Sequence, residues 1–81
     1  MNIYVGNLSF NVTDSDLQRT MEEFGEVSSV KLIIDRMTNR SKGFAFIEMP
    51  NKSEAINAIK KLNGYEYDGR PMTVKEAIPK Y

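Results

Sequence analysis

Neither cysteine nor histidine occurs among the 81 residues of this chain. Without cysteine there is no disulfide framework, no thiolate metal site and no thiol nucleophile. Without histidine the commonest metal ligand and the commonest general base are missing as well. The acids Asp14 and Asp16 stand where a helix start has its own use for them, and Gly6-Asn7-Leu8 lacks the Lys-Ser/Thr sequel of a phosphate-cradling loop. The expectation is therefore no enzymatic activity, no cofactor and no metal. Long apolar runs are lacking too: none approaches the roughly 18 residues of a membrane span, and no basic-then-apolar leader precedes the first strand pattern. This predicts a soluble cytoplasmic protein without a membrane partner.

Net charge is also missing, with 11 basic residues against 11 acidic ones. That balance counts against a protein that coats nucleic acid by charge alone. The distribution is uneven, however. Residues 1–30 hold one base, Arg19, against five acids, a net charge of −4, while residues 31–81 hold the other ten bases and six acids, a net charge of +4. Such a split reads either as ordinary solvated surface or as one acidic and one basic face. The second reading gains weight if Lys31, Lys42 and Lys75 share a face. The length allows a single domain, expected to span 1–81 with a core of about 2–77 and a short tail at 78–81. A domain this small buries little more than about 60% of its unfolded surface, so its core has little to spare.

What is present is concentrated in Lys42-Gly43-Phe44-Ala45-Phe46-Ile47-Glu48-Met49. The period is that of a β-strand. One face carries Gly43, Ala45, Ile47 and Met49, small and aliphatic groups suited to close packing by helices. The other carries Lys42, Phe44, Phe46 and Glu48, two rings flanked by charges, which suits a wet surface better than a core. Flat, π-faced partners such as nucleic-acid bases would explain rings exposed there. Asn2–Leu8 repeats the logic, with Ile3 and Val5 on one face and Tyr4 alone on the other.

The remaining elements follow in order. Ile3–Val5 is the first strand. Thr13 is a helix N-cap with Asp16 as a weaker capping-box partner, and Leu17, Met21 and Phe24 mark one face of a helix over about Asp14–Phe24. Glu26–Asp35 reads as a second strand, with Val30, Leu32 and Ile34 on one face and Lys31 and Ile33 on the other. Arg36–Ser41 is a polar loop holding Arg36 and Arg40. After the third strand, Pro50 stops the pattern and Asn51 caps a second helix, with Glu54 as its capping-box partner and Ala55, Ala58, Ile59 and Leu62 as its apolar stripe. Tyr65–Tyr67 adds a short strand before a turn at Asp68-Gly69. Met72–Ala77 is the last strand, with Met72 and Val74 on one face and Thr73, Lys75 and Ala77 on the other.

The order is β-α-β-β-α-β, a ferredoxin-like α+β sandwich: a four-stranded antiparallel sheet with two helices on one face. The helices' apolar stripes call for Ile3, Val5, Val30, Leu32, Ala45, Ile47, Met72 and Val74 beneath them. The other sheet face is left open.

The two opening stretches together resemble the paired ribonucleoprotein signatures of the RNA recognition motif (RRM) family. Lys42–Met49 fits the octamer except at Met49, where an aromatic is usual; Met49 lies on the buried face, so the change bears on packing and not on stacking. Ile3–Leu8 fits the hexamer throughout. The resemblance covers roughly Asn2–Lys80, and the chain is similar to small single-domain bacterial RRM RNA-binding proteins. It implies a non-enzymatic, monomeric binder of single-stranded RNA, engaged in post-transcriptional regulation or RNA chaperoning, with single-stranded DNA left open as a ligand. It also implies the roles: Tyr4 and Phe44 each stack a base, Phe46 packs on sugars, and Lys42 pairs with a phosphate. Lys31 lies on the same face, Arg40 sits on a loop that touches RNA in some relatives, and Lys75, Ala77 and Ile78, with Lys80 beyond them, end the last strand where main chain and basic side chains read bases. Asn7 reads as a turn residue. The rival from another class is an RRM-like protein-interaction domain. Such domains usually lose the aromatic set, and here Tyr4, Phe44 and Phe46 are all kept.

Overall fold

A computed structural model describes residues 1–77. The expected tail, with Ile78 and Lys80, lies outside the described residues. The elements are β1 (Asn2–Gly6), α1 (Asp14–Glu22), β2 (Ser29–Asp35), β3 (Arg40–Glu48), α2 (Lys52–Leu62), β4 (Glu66–Tyr67), β5 (Arg70–Pro71) and β6 (Thr73–Glu76). The antiparallel sheet runs β2-β3-β1-β6, and β4 and β5 form a separate small hairpin. The ferredoxin-like α+β architecture is the one expected. β5 was not foreseen; it exists because the turn at Asp68-Gly69 folds the chain back on Tyr67.

The helix starts invert an expectation. At α1 the box is complete in both directions: the Thr13 hydroxyl accepts from the Asp16 N–H at 3.1 Å, and the Asp16 carboxylate accepts from the Thr13 N–H at 3.1 Å. At α2 the Asn51 side chain accepts from the Glu54 N–H at 3.1 Å, but the Glu54 carboxylate turns away and accepts from the N–H of Glu26 at 3.2 Å. That bond ties Glu26 to the first turn of α2, and β2 begins at Ser29 and not at Glu26. α1 likewise stops at Glu22, short of Phe24, which still packs against the core.

Both helices cover one side of the sheet. Leu17 and Met21 of α1, with Ala55, Ala58 and Leu62 of α2, join Ile3, Val5, Ala45, Ile47, Met49, Met72 and Val74 in one buried cluster. Fully burying an aliphatic side chain of this kind contributes about 1.5–3 kcal/mol. Val30 and Leu32 pack against the cluster, but Ile34 is 41% exposed. Ile34 borders the same recess as Val30 and Leu32 and so keeps their side of the sheet, but it lies past an irregularity in the β2–β3 register and outside the core cluster.

Candidate nucleic-acid interface

β1 and β3 are the two central strands, and their register sets Tyr4 opposite Phe46. Tyr4 and Phe44 have ring centres 6.1 Å apart with planes inclined by 29°; Phe46 stands edge-on, 5.8 Å from Tyr4 and 6.2 Å from Phe44. Edge-to-face and offset pairs at these separations are attractive. The rings therefore brace one another on the face opposite the helices. None of the three belongs to the buried core, and Phe46 is 40% exposed. Strand alternation produces this directly, since Ile3, Val5, Ala45 and Ile47 take the inward places between them.

Two glycines shape the platform. A Cβ on Gly6 would lie 2.7 Å from Cε1 of Tyr4, so the missing side chain makes room for the Tyr4 ring along the strand. Gly43 has φ +85, and a Cβ there would stand 3.2 Å from the Leu8 carbonyl oxygen. The Leu8 N–H donates to the Gly43 carbonyl at 2.9 Å, which docks the loop after β1 onto β3.

Cations surround the rings. Lys31 pairs in register with Phe46 across β2–β3. Lys75 pairs with Tyr4 across β1–β6, and its ammonium lies 5.4 Å from the centre of the Tyr4 ring. Lys42 lines a recess beside Tyr4 and Phe44. The three lysines thus share the open side, the condition on which the basic-face reading depended.

Two site residues stand differently from expectation. Arg40 is not a loop residue: it opens β3 and pairs in register with Asp35. The connection shrinks because the Asp35 carboxylate accepts from the N–H of Met37 at 2.8 Å and its carbonyl accepts from the N–H of Asn39 at 2.7 Å. Ala77 lies just past the end of β6, and its N–H donates to the Asn2 carbonyl at 2.8 Å, so that N–H is not available to a ligand.

The structure adds residues that the strand pattern did not single out. Asn7 is the brace of a second layer: its Nδ2 donates to the Pro71 carbonyl at 2.7 Å, and its Oδ1 accepts from the Arg70 guanidinium at 2.8 Å. Arg70 in turn lies 5.9 Å from the centre of the Phe10 ring. The available signals were an aromatic residue inside an otherwise polar loop and a base directly after the Asp68-Gly69 turn.

The profile of the RNA recognition motif matches residues 3–73. The chain belongs to the RNA recognition motif family. Its relatives include RbpF of Nostoc sp., 48% identical over 80 residues that make up 99% of this chain and 76% of that protein. The chloroplastic 29 kDa ribonucleoprotein of Arabidopsis thaliana is 42% identical over 98% of this chain and 23% of its own length. Among solved structures, the crystal structure of RNA binding protein PG1 superposes with a TM-score of 0.94 at 44% identity, covering 100% of this chain and 98% of that one. The Rna15 RRM with bound RNA (GU) superposes with a TM-score of 0.86 at 29% identity, covering 94% and 81%. In this RRM most of the hexamer signature lies on β1 and all but Met49 of the octamer signature on β3, side by side at the centre of the sheet.

Proposed function

We propose that this RRM binds single-stranded RNA across the open face of its sheet. One base stacks on Tyr4 and one on Phe44, Phe46 packs against sugar, and Lys42, Lys31, Lys75 and Arg40 meet phosphates. Ala77 offers its carbonyl at the strand end. The observation that carries this reading is the mutually braced ring set in mid-sheet, turned away from both helices. Base–aromatic stacking contributes about 1–3 kcal/mol per base, so two stacks anchor a short strand without a large net charge. A relative named as a ribonucleoprotein and a neighbour solved with RNA support the same reading.

On this reading the chain acts as one domain, as a monomer and without catalysis, in the cytoplasm, in post-transcriptional regulation or RNA chaperoning. No helix among the described residues is long and apolar enough to cross a membrane. Single-stranded DNA offers the same π-faces and remains a competitor ligand. The test is selection from random RNA and DNA pools, then amide-shift mapping with the best oligonucleotide. Shifts centred on Tyr4, Phe44 and Phe46 are expected. A ligand that maps to the helices instead overturns the reading.

A further inference from the structure

Phe10 is the large apolar side chain of the loop between β1 and α1, and 64% of it is open to solvent. It plays no part in the stacking set, and the core does not use it. Yet its surroundings hold it in place. The loop is tied to β3 through Leu8 and Gly43, and a Cβ on Gly43 would already be 3.5 Å from Cε1 of Phe10. The Arg70 guanidinium, fixed by Asn7, stands over the ring. Between Phe10 and the Tyr4–Phe44 pair lies a recess of about 230 Å³. Lys42 and Arg70 line it, and among the described residues no carboxylate does.

We propose that Phe10, Arg70 and Lys42 form a further nucleotide subsite, which takes the nucleotide adjacent to the one stacked on Phe44. The proposal rests on the reading of the sheet face as an RNA interface. An exposed ring offers a stacking surface for a base, and two cations without a facing acid offer charge-assisted bonds to its phosphate. Arg70 is suited to that task because its planar fork is already oriented by Asn7, so less motion is lost when a phosphate binds. Phe44 and Phe10 both line the recess, so a strand leaving the Phe44 ring along it comes next to Phe10. A subsite of this kind lengthens the RNA footprint along the loop while adding little net charge to the sheet.

The experiment compares oligouridine of two and of four nucleotides, titrated against the intact protein and against Phe10→Ala, Phe10→Tyr, Arg70→Gln and Phe44→Ala. An amide spectrum first confirms that each variant is folded. The quantity read is the gain in affinity from the shorter to the longer ligand. Phe10→Ala should cut that gain about fivefold or more, the effect of one lost stack. Phe10→Tyr should retain it, and Arg70→Gln should reduce it together with its salt dependence. An unchanged gain in Phe10→Ala, with both ligands weakened by Phe44→Ala, overturns the subsite and leaves the sheet interface standing. If Phe44→Ala binds both ligands as tightly as the intact protein, the sheet reading fails and the subsite with it. If an acidic, aromatic peptide shifts the Phe10 and Arg70 amides while oligouridine does not, the recess is a protein site and the proposal is overturned.

Discussion

The Lys75 ammonium rests 5.4 Å from the centre of the Tyr4 ring, the ring expected to carry a base. The contact is a cation–π pair across the β1–β6 ladder. A base stacking on Tyr4 competes for the same π-surface. RNA should therefore move the ammonium from the ring to a neighbouring phosphate. With the four cations of the sheet face each meeting one phosphate, the log–log salt slope should be about −3, and Lys75→Gln should flatten it by about 0.7. Titrations at several salt concentrations check this. A slope steeper than about −4 would mean that charge dominates over stacking. A slope unchanged in Lys75→Gln would mean that Lys75 never reaches a phosphate.

A second prediction concerns the start of α1. The bond from the Thr13 N–H, followed by that from the Arg19 guanidinium at 2.6 Å, holds the Asp16 carboxyl below its ordinary value. A depressed native pKa means that the unfolded chain takes up the proton first as the pH falls. The stability that Asp16 contributes is then complete above the unfolded value and is lost as the pH drops through the native one. The urea midpoint of Asp16→Ala should lie below that of the parent at pH 7, and the gap should begin to narrow below about pH 4. A gap that stays constant down to the lowest pH would show that the cap works without its charge.

The acidic first helix supplies a third. Asp14, Asp16, Glu22, Glu23 and Glu26 lie on or beside α1, which packs on the covered side of the sheet. They repel phosphate from that side. Glu22 is exposed, and Glu22→Lys should change RNA affinity only slightly, through screened long-range attraction. Ligand-induced amide shifts should leave Thr13–Phe24 quiet. Shifts concentrated there would reverse the assignment of faces.

Period-2 alternation made the two faces of β1 and β3 legible, because each side chain has only two places to go once one face must be apolar. It did not foretell that Ile34, which borders the same recess as Val30 and Leu32, is left exposed beyond the register irregularity that follows Leu32. Local pairing rules found the Thr13 box but misassigned Glu54, whose carboxylate serves Glu26, 28 residues away. The same limit hid Arg70. Its placement depends on Asn7, 63 residues distant, and no pattern within either segment records that contact. Short-range periodicity therefore revealed the stacking platform, while the brace and the loop around it are products of tertiary contact.

The sharpest test sets two residues of β3 against each other. Phe44 sits on the open face, half-buried among the other rings, whereas Ile47 is 1% exposed and forms part of the core. Phe44→Ala should lose about 1–3 kcal/mol of RNA binding with the lost stack. Its cost to stability should be smaller, because the ring gives up its contacts with Tyr4 and Phe46 but leaves no sealed cavity. Ile47→Ala should do the reverse. Truncating a buried isoleucine costs about 2–5 kcal/mol, a large share of the stability of so small a domain. The fraction that remains folded should bind RNA nearly as before, since the ring platform lies on the other side of the sheet. Urea melts and titrations of both variants with one oligonucleotide give all four numbers. If Phe44→Ala unfolds the domain while Ile47→Ala is harmless, then β3 is inverted, the rings are its core, and stacking on RNA has no surface on which to occur.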